Sequence, residues 1–356
     1  MSQTPSKPET LRISPRIEHR DISIILGTGA ENLDKLGFRV GKPIKLDVAY
    51  SVMGRIYEGK VEIYEAEVGG VPVYLLSRHG SEGIYTPAYK VDLDSNVLAL
   101  VDDKQGAGSK VILASSLVGG CRTTDWEIGD MVLVEDGSDM HADDFYVDGN
   151  EPYVHAHGLF NRDVSRVLLE KAGERQIPVQ KGGIYYSGPD TTGNRFETPA
   201  EMARLLAPAY LRRYLDALAD VVMLNADRAL GPVDPSNHLR PYPTKEEIAL
   251  QELRNIIDNM STLEPNLVGM TLIREAGRVR TFSTRNSGYK QETGDKNKHL
   301  AKFGGFAMIS DFPESEETAH GTNSEVALGK LPVIMEIFAE AIPTIQKEIS
   351  EGSSKY

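Results

Sequence analysis

The chain has 356 residues, of which 40% are hydrophobic and 26% are charged, which are the proportions of an ordinary globular protein. Its formal net charge of −13 disfavours binding to nucleic-acid backbones and anionic membrane surfaces, because like charges repel. Cys121 is the only cysteine, so no intrachain disulfide can form, and we expect a cytoplasmic location. No apolar run approaches the roughly 20 residues that span a bilayer. Residues 1–20 lack the apolar stretch of a secretory signal and are expected to form a flexible arm.

Short apolar strands alternate with helices along most of the chain. Strands are predicted at 21–26, 61–67, 71–77, 110–115, 131–135, 183–187, 220–225 and 303–310. Helices are predicted at 94–103, 161–172, 199–219, 244–260 and 323–349, the last of them bent near Pro332 and Pro343. This alternation favours one α/β domain over residues 21–349, with a mixed and mainly buried sheet.

Three predicted strand ends carry groups that suit an anion. Gly27-Thr28-Gly29 lets the backbone approach closely and adds a hydroxyl, and Arg78 with His79 offers further donors. Ser115 and Ser116 end a third strand, where hydroxyls commonly face the ligand crevice of an α/β sheet. Each feature also has an ordinary interpretation, as a tight turn, a surface ion pair or a serine-rich turn. The serines lack a G-x-S-x-G elbow, which disfavours a serine hydrolase.

Two other segments suit a flat heterocycle. Phe196 can stack on a base, and the adjacent Glu197 can accept hydrogen bonds from ring N–H groups, although acidic residues are also common where a helix begins. Asp311 ends the last predicted strand and could share a proton with a leaving base, or simply cap a helix. No His, Cys, Asp or Glu cluster has the spacing of a metal site, so no metal is expected.

In this order, the segments resemble the trimeric purine nucleoside phosphorylase and methylthioadenosine phosphorylase family. Residues 195–201 (R-F-E-T-P-A-E) are similar to the family's G-P-x-[FY]-E-T-P-A-E stretch, with 190–194 inserted after the Gly-Pro pair. Arg78-His79-Gly80 and the residues that follow it resemble the methylthioadenosine branch, and further similarity is carried by the Gly119-Gly120 pair and by E-I-G-D at 127–130. The resemblance covers about 21–231 and 303–349.

The resemblance implies a mixed, partly barrel-like sheet flanked by helices, a homotrimer or homohexamer, and phosphorolysis of a purine nucleoside with inorganic phosphate as co-substrate and no cofactor. The implied catalytic residues are Asp311 and His79. The implied phosphate-binding residues are Thr28, Arg78, His79, Ser115, Ser116 and Asn225. The implied base-binding residues are Phe196, Glu197, Asp311, Val118 and Gly119, and the implied ribose-binding residues are Tyr85, Met223, Leu224, His320 and Asn323.

The chain departs from the family at two places. The family's M-[ST]-T-V-P-E motif should follow the strand predicted at 220–225, but Met223-Leu224-Asn225 stand there and the phosphate-binding hydroxyl is missing. An insertion of about seventy residues, at 232–302, then precedes the last strand. Glu197 matches the 6-oxopurine branch and Asp311 the 6-aminopurine branch, which leaves the base preference open. A nucleoside hydrolase of the same fold and a non-catalytic nucleoside-binding protein are the alternative functions.

Overall fold

The structure is a computed structural model that describes residues 11–28, 36, 39–52, 55–80, 86–121, 124–139, 158–187, 265–286, 300–312 and 322–351. The helices predicted at 199–219 and 244–260 and the strand predicted at 220–225 lie outside these ranges. Among the described helices, none is long and apolar enough to cross a membrane.

The described residues contain a ten-stranded sheet. Its strands are β1 (Leu11–Ser14), β2 (Ile22–Leu26), β3 (Val40–Val52), β4 (Arg55–Val68), β5 (Val71–Ser77), β6 (Val111–Gly120), β7 (Met131–Asp139), β8 (Gln180–Ser187), β9 (Leu267–Val268) and β10 (Lys302–Asp311). Their order across the sheet is β1-β3-β4-β5-β2-β6-β10-β7-β8-β9. Because β9 also pairs with β6, the strands from β6 to β9 close into a barrel. The predicted mixed, partly barrel-like sheet is confirmed.

The sheet is buried on both faces by helices. The described helices are α1 (Leu93–Val101), α2 (Arg162–Glu174), α3 (Leu272–Asn286), α4 (Thr322–Leu328) and α5 (Leu331–Ser350). The buried apolar residues form two large core clusters. One cluster includes the apolar residues of α1 and α3, and the other includes those of α2 and α5. All five residues of β2 are buried, which explains why its sequence is continuously apolar instead of alternating.

The amino-terminal segment is more ordered than the sequence suggested. The prediction of a flexible arm over 1–20 is wrong for its described part, because β1 pairs antiparallel with β3. Ile13 and Ile17 are buried in the core, and their burial from water stabilises this edge strand. The sequence analysis did not predict β3, which forms a long antiparallel hairpin with β4.

Two predictions near the carboxyl end need correction. The single bent helix predicted at 323–349 is two helices, α4 and α5, separated at Gly329 and Lys330. Pro332 lies in the first turn of α5, where its missing N–H costs no helical hydrogen bond. The insertion predicted at 232–302 also contains β9 and α3, so its described part from 265 to 286 belongs to the sheet and the core.

Candidate active site

Two strand ends lie beside the middle of a third strand. Strands β5, β2 and β6 are parallel neighbours, and β5 and β2 end next to Ser115, whereas β6 continues to Gly120. The Arg78 backbone N–H donates to the Leu26 carbonyl at 2.9 Å. A Cβ atom added to Gly27 would lie 2.8 Å from Arg78 Nη1 and 2.8 Å from the Ser115 carbonyl oxygen. The structure therefore brings together the predicted segments around Thr28, Arg78 and Ser115, and only glycine fits between the last two.

Arg78 forms a buried ion pair that the sequence did not indicate. Its Nε and Nη2 donate to the two carboxylate oxygens of Glu275, on α3, at 2.5 and 2.6 Å. The two side chains are 0% and 1% exposed. Nη1 donates to the Ser115 carbonyl at 3.3 Å. These bonds use three of the five N–H donors of a guanidinium, which leaves one on each Nη.

Strand alternation distinguishes the two predicted serines. Ser116 has the same parity along β6 as Ala114 and Val118, which belong to the core cluster that includes α3. Ser116 therefore lies on the face of the sheet that carries Glu275, where its hydroxyl donates to the Leu117 carbonyl at 3.2 Å. Ser115 has the opposite parity, and its buried hydroxyl makes no hydrogen bond within the described part of the chain. Of the two serines, Ser116 is therefore the one whose hydroxyl lies on the face of the Arg78–Glu275 pair.

His79 is buried and uncharged at neutral pH. Its Nδ1 lies 2.8 Å from the Thr86 carbonyl oxygen, so Nδ1 carries the hydrogen and donates it. Burial and the neighbouring Arg78 guanidinium lower the pKa of His79 to about 4, against the opposing effect of the Thr86 bond. The imidazole adds polarity to this edge of the sheet but no positive charge.

Thr271 is a candidate phosphate-binding residue that the sequence analysis did not identify. Strand β9 pairs with Gly119 and Gly120, and residues 270–275 follow it with the sequence M-T-L-I-R-E. This stretch matches the expected M-[ST]-T-V-P-E at its methionine, its hydroxyl and its glutamate. Thr271 is buried and immediately precedes α3, and its carbonyl accepts the Glu275 N–H at 2.9 Å across the first turn of that helix. A hydroxyl therefore stands one helical turn from the Arg78 ion pair.

Tyr185 fixes the beginning of α3. Its hydroxyl oxygen accepts the backbone N–H groups of Thr271 at 3.2 Å and Leu272 at 3.4 Å. These are two of the N–H groups that the first turn of a helix leaves without a helical partner. Burial raises the pKa of the Tyr185 hydroxyl, so the group stays neutral. A Cβ on Gly269 would overlap this hydroxyl, which requires glycine there.

Asp311 is the last residue of β10, which runs parallel to β6. It pairs with Gly119 and is 7% exposed. The Ser310 hydroxyl lies 2.6 Å from Asp311 Oδ1 and 3.1 Å from the Val118 carbonyl oxygen. Ser116 and Gly119 are three positions apart along β6, a distance of roughly 10 Å. The backbone of Asp311 therefore lies about that far beyond Ser116, toward the carboxyl end of the strands.

Several predicted site residues lie outside the described residues: Tyr85, Phe196, Glu197, Met223, Leu224, Asn225 and His320. Asn323 lies in α4, at the second residue of that helix. Across the described ranges, no group of three or more His, Cys, Asp and Glu residues could hold a metal ion.

Comparison with known proteins gives a consistent set of matches. No protein-family model matches the chain. The chain is 30% identical over 191 residues to a probable S-methyl-5′-thioinosine phosphorylase of Methanopyrus kandleri, which is 51% of this chain and 64% of that protein. It is 30% identical over 163 residues to a probable 6-oxopurine nucleoside phosphorylase of Korarchaeum cryptofilum, which is 40% of this chain and 56% of that protein. The chain thus spans less than two thirds of the length of either relative.

Solved structures show the same fold. A methylthioadenosine phosphorylase from Schistosoma mansoni, in complex with adenine, superimposes with a TM-score of 0.54 at 19% identity, over 94% of this chain and 97% of that chain. The resemblance to the purine nucleoside and methylthioadenosine phosphorylases that the sequence motifs indicated is confirmed by these matches.

Proposed function

We propose that the chain cleaves the N-glycosidic bond of a purine nucleoside, or of a 5′-modified purine nucleoside, by phosphorolysis. The products are the free base and ribose 1-phosphate or its deoxy form. One observation carries this proposal: Arg78 and Ser116 both lie beside Gly27, and Arg78 pairs with Glu275 on α3. Thr271 stands four residues before Glu275, and Asp311 lies farther toward the carboxyl end of β10. The spacing suits a ligand with an anion at one end and a heterocycle at the other.

The anion half of the site binds phosphate through directed donors. Two N–H groups of Arg78 remain after its bonds to Glu275 and Ser115, and a guanidinium presents them in a geometry that fits phosphate oxygens. The hydroxyls of Thr28, Ser116 and Thr271 add further donors. Glu275, the partner of Arg78, lies in the first turn of α3, where the positive end of the helix dipole favours a nearby anion.

The reaction follows from the charge that develops when the bond breaks. The C1′–N bond cleaves with its electron pair going to the purine, and positive charge develops on the sugar. A phosphate oxygen on the opposite face stabilises that charge and forms the new C1′–O bond. The purine leaves as a neutral base once its nitrogen takes up a proton, and we assign to Asp311 the role of giving or sharing that proton. His79, which is neutral, orients phosphate and adds no charge.

The identity of the base is proposed only to the level of a purine. The names of the two curated relatives point to 6-oxopurines, whereas the solved methylthioadenosine phosphorylase binds adenine. Glu197 matches the former group and Asp311 the latter. By analogy with the family, we also propose a homotrimer or homohexamer in the cytoplasm, with phosphate as co-substrate and no cofactor. Cys121 is buried and is the only cysteine of the sequence, so it forms no intrachain disulfide, which is compatible with a reducing compartment.

A nucleoside panel tests the proposal directly. Inosine, adenosine, their 5′-methylthio derivatives and their deoxy forms are incubated with and without phosphate, and free base and sugar 1-phosphate are measured by chromatography. We expect base release that requires phosphate and yields an equal amount of sugar 1-phosphate. Release of base and free sugar without phosphate would instead identify a hydrolase. A nucleoside that raises the melting temperature but is never consumed would identify a binding protein.

A further inference from the structure

We propose that Glu275 is a positioning residue for the anion site: it holds the Arg78 guanidinium in one orientation and leaves the other edge of that group to bind phosphate. This inference rests on the proposed function, because it concerns the same anion site. It assigns a role to a carboxylate that would otherwise be expected to compete with phosphate for the arginine.

The geometry of the ion pair supports this role. Glu275 binds Arg78 side-on, through Nε and Nη2, and the Ser115 carbonyl accepts from Nη1. A side-on pair leaves the edge formed by the two Nη atoms uncovered by the carboxylate. Arg78 therefore does not have to release Glu275 in order to offer two N–H groups to a phosphate.

Glu275 is itself held rigidly. It lies in the first turns of α3, and its N–H donates to the Thr271 carbonyl at 2.9 Å. The Tyr185 hydroxyl accepts the N–H of Thr271, which fixes where the helix begins. Tyr185 is fully buried on β8, so the carboxylate is anchored to the barrel through the helix. A long arginine side chain, which has many rotamers, thereby loses its freedom before phosphate arrives.

The charges at the site distinguish positioning from electrostatic attraction. Glu275 compensates the charge of Arg78, and neutral His79 adds none, so these three residues together carry no net charge at neutral pH. Removal of the carboxylate charge would make the site more positive. Coulomb's law alone then predicts tighter phosphate binding, whereas loss of positioning predicts weaker binding. The two roles of Glu275 therefore predict opposite changes.

The test compares Glu275→Gln with the wild-type protein and with Asp94→Asn. Asp94 on α1 pairs with Arg278, which is on the same helix as Glu275. Because this second ion pair lies outside the anion site, Asp94→Asn serves as the matched control. We expect Glu275→Gln to raise the KM for phosphate at least tenfold, with kcat at saturating phosphate reduced less than threefold. Asp94→Asn should leave both parameters unchanged. An unchanged or lower phosphate KM in Glu275→Gln would overturn the proposal.

A second measurement needs no substitution at Glu275, which matters because loss of one partner of a buried ion pair can unfold a protein. The Arg78 Nε–H resonance is observed by NMR in the wild-type protein and assigned by its loss in Arg78→Lys. We expect this signal to stay in place when inorganic phosphate is added, because the Nε bond to Glu275 persists. A large shift would show that phosphate displaces Glu275 and would contradict the proposal.

Calorimetry with phosphate alone separates this inference from the proposed function. If the wild-type protein binds phosphate and Glu275→Gln binds it at least tenfold more weakly, the positioning role stands even if no nucleoside is cleaved. If the wild-type protein cleaves nucleosides and Glu275→Gln keeps its phosphate affinity, the proposed function stands and the positioning role is rejected. If the wild-type protein binds no phosphate, both are rejected.

Discussion

The hydroxyl of Tyr185 accepts the backbone N–H of Thr271 at 3.2 Å, although 86 residues separate them in sequence. This bond connects the barrel to the start of α3, where Thr271 immediately precedes the helix and Glu275, the partner of Arg78, follows four residues later. The placement of the proposed anion site therefore depends on a tyrosine that lies on a different element.

Tyr185→Phe is expected to destabilise the protein by about 1–3 kcal/mol, because two buried N–H groups lose their acceptor while the volume of the ring is kept. Urea unfolding measures the change. Tyr57→Phe is the control, since that ring is 42% exposed on β4, and it should change the free energy of unfolding by about 0.5 kcal/mol or less. Equal effects of the two substitutions would argue against a helix-capping role for Tyr185.

Gly27→Ala is expected to raise the KM for phosphate about tenfold or more, which corresponds to roughly 1.4 kcal/mol. The added Cβ would lie 2.8 Å from Arg78 Nη1, so the guanidinium must shift. Gly173→Ala on α2 is the matched control, because among the described residues no atom outside its own helix backbone and chain neighbours lies within 4 Å of the added Cβ. That control should keep the phosphate KM and gain about 0.5–1 kcal/mol of stability. A wild-type phosphate KM in Gly27→Ala would refute the placement of the anion site.

His79 is expected to make the fold less stable in acid. Its pKa is about 4 in the folded protein and about 6.5 in the unfolded chain. At pH values between these two pKa values, the unfolded chain binds a proton that the folded protein does not. The stability that neutral His79 contributes is therefore intact above pH 6.5 and is lost as the pH falls toward 4. The loss amounts to about 3 kcal/mol.

Denaturant unfolding of the wild-type protein and of His79→Gln, at pH 7 and at pH 4, checks this prediction. The wild-type protein should lose more stability than the variant by about that amount. Parallel losses in the two proteins would show that His79 does not carry a lowered pKa.

Asp311→Asn is expected to reduce kcat for 6-aminopurine nucleosides by about 10²–10⁴-fold, because the amide cannot transfer a proton. The KM for phosphate should be unchanged, since Asp311 stands at the other end of the proposed site. Asp136→Asn, an exposed carboxylate of β7, is the control for a simple change of charge. Equal kcat values for Asp311→Asn and the wild-type protein on every purine nucleoside would remove Asp311 from the mechanism.

The anion-site residues show how far local sequence signals reach. Arg78 and Ser116 were recognisable because each follows an apolar run that predicts a strand, and polar groups after such strands of an α/β sheet commonly face one crevice. The strand end predicted at 115 was too early, because β6 continues to Gly120. Thr271 was missed because its strand has only two residues and its motif matches the family at three of six positions. A search for a hydroxyl before a glutamate at helical spacing would have found it.

The sequence by itself determined the alternation of elements, the buried strands and the chemistry available at their ends, because hydrophobic periodicity and turn residues act over a few positions. Only the tertiary structure decided that β9 closes the barrel, that Ser116 faces the side of Glu275, and that Glu275 pairs with Arg78. These relations join residues that are far apart in the chain. They depend on how the whole sheet closes and on which buried charges must be paired, because an unpaired buried charge is costly. No local sequence pattern encodes the closure of the sheet or the pairing of the charges.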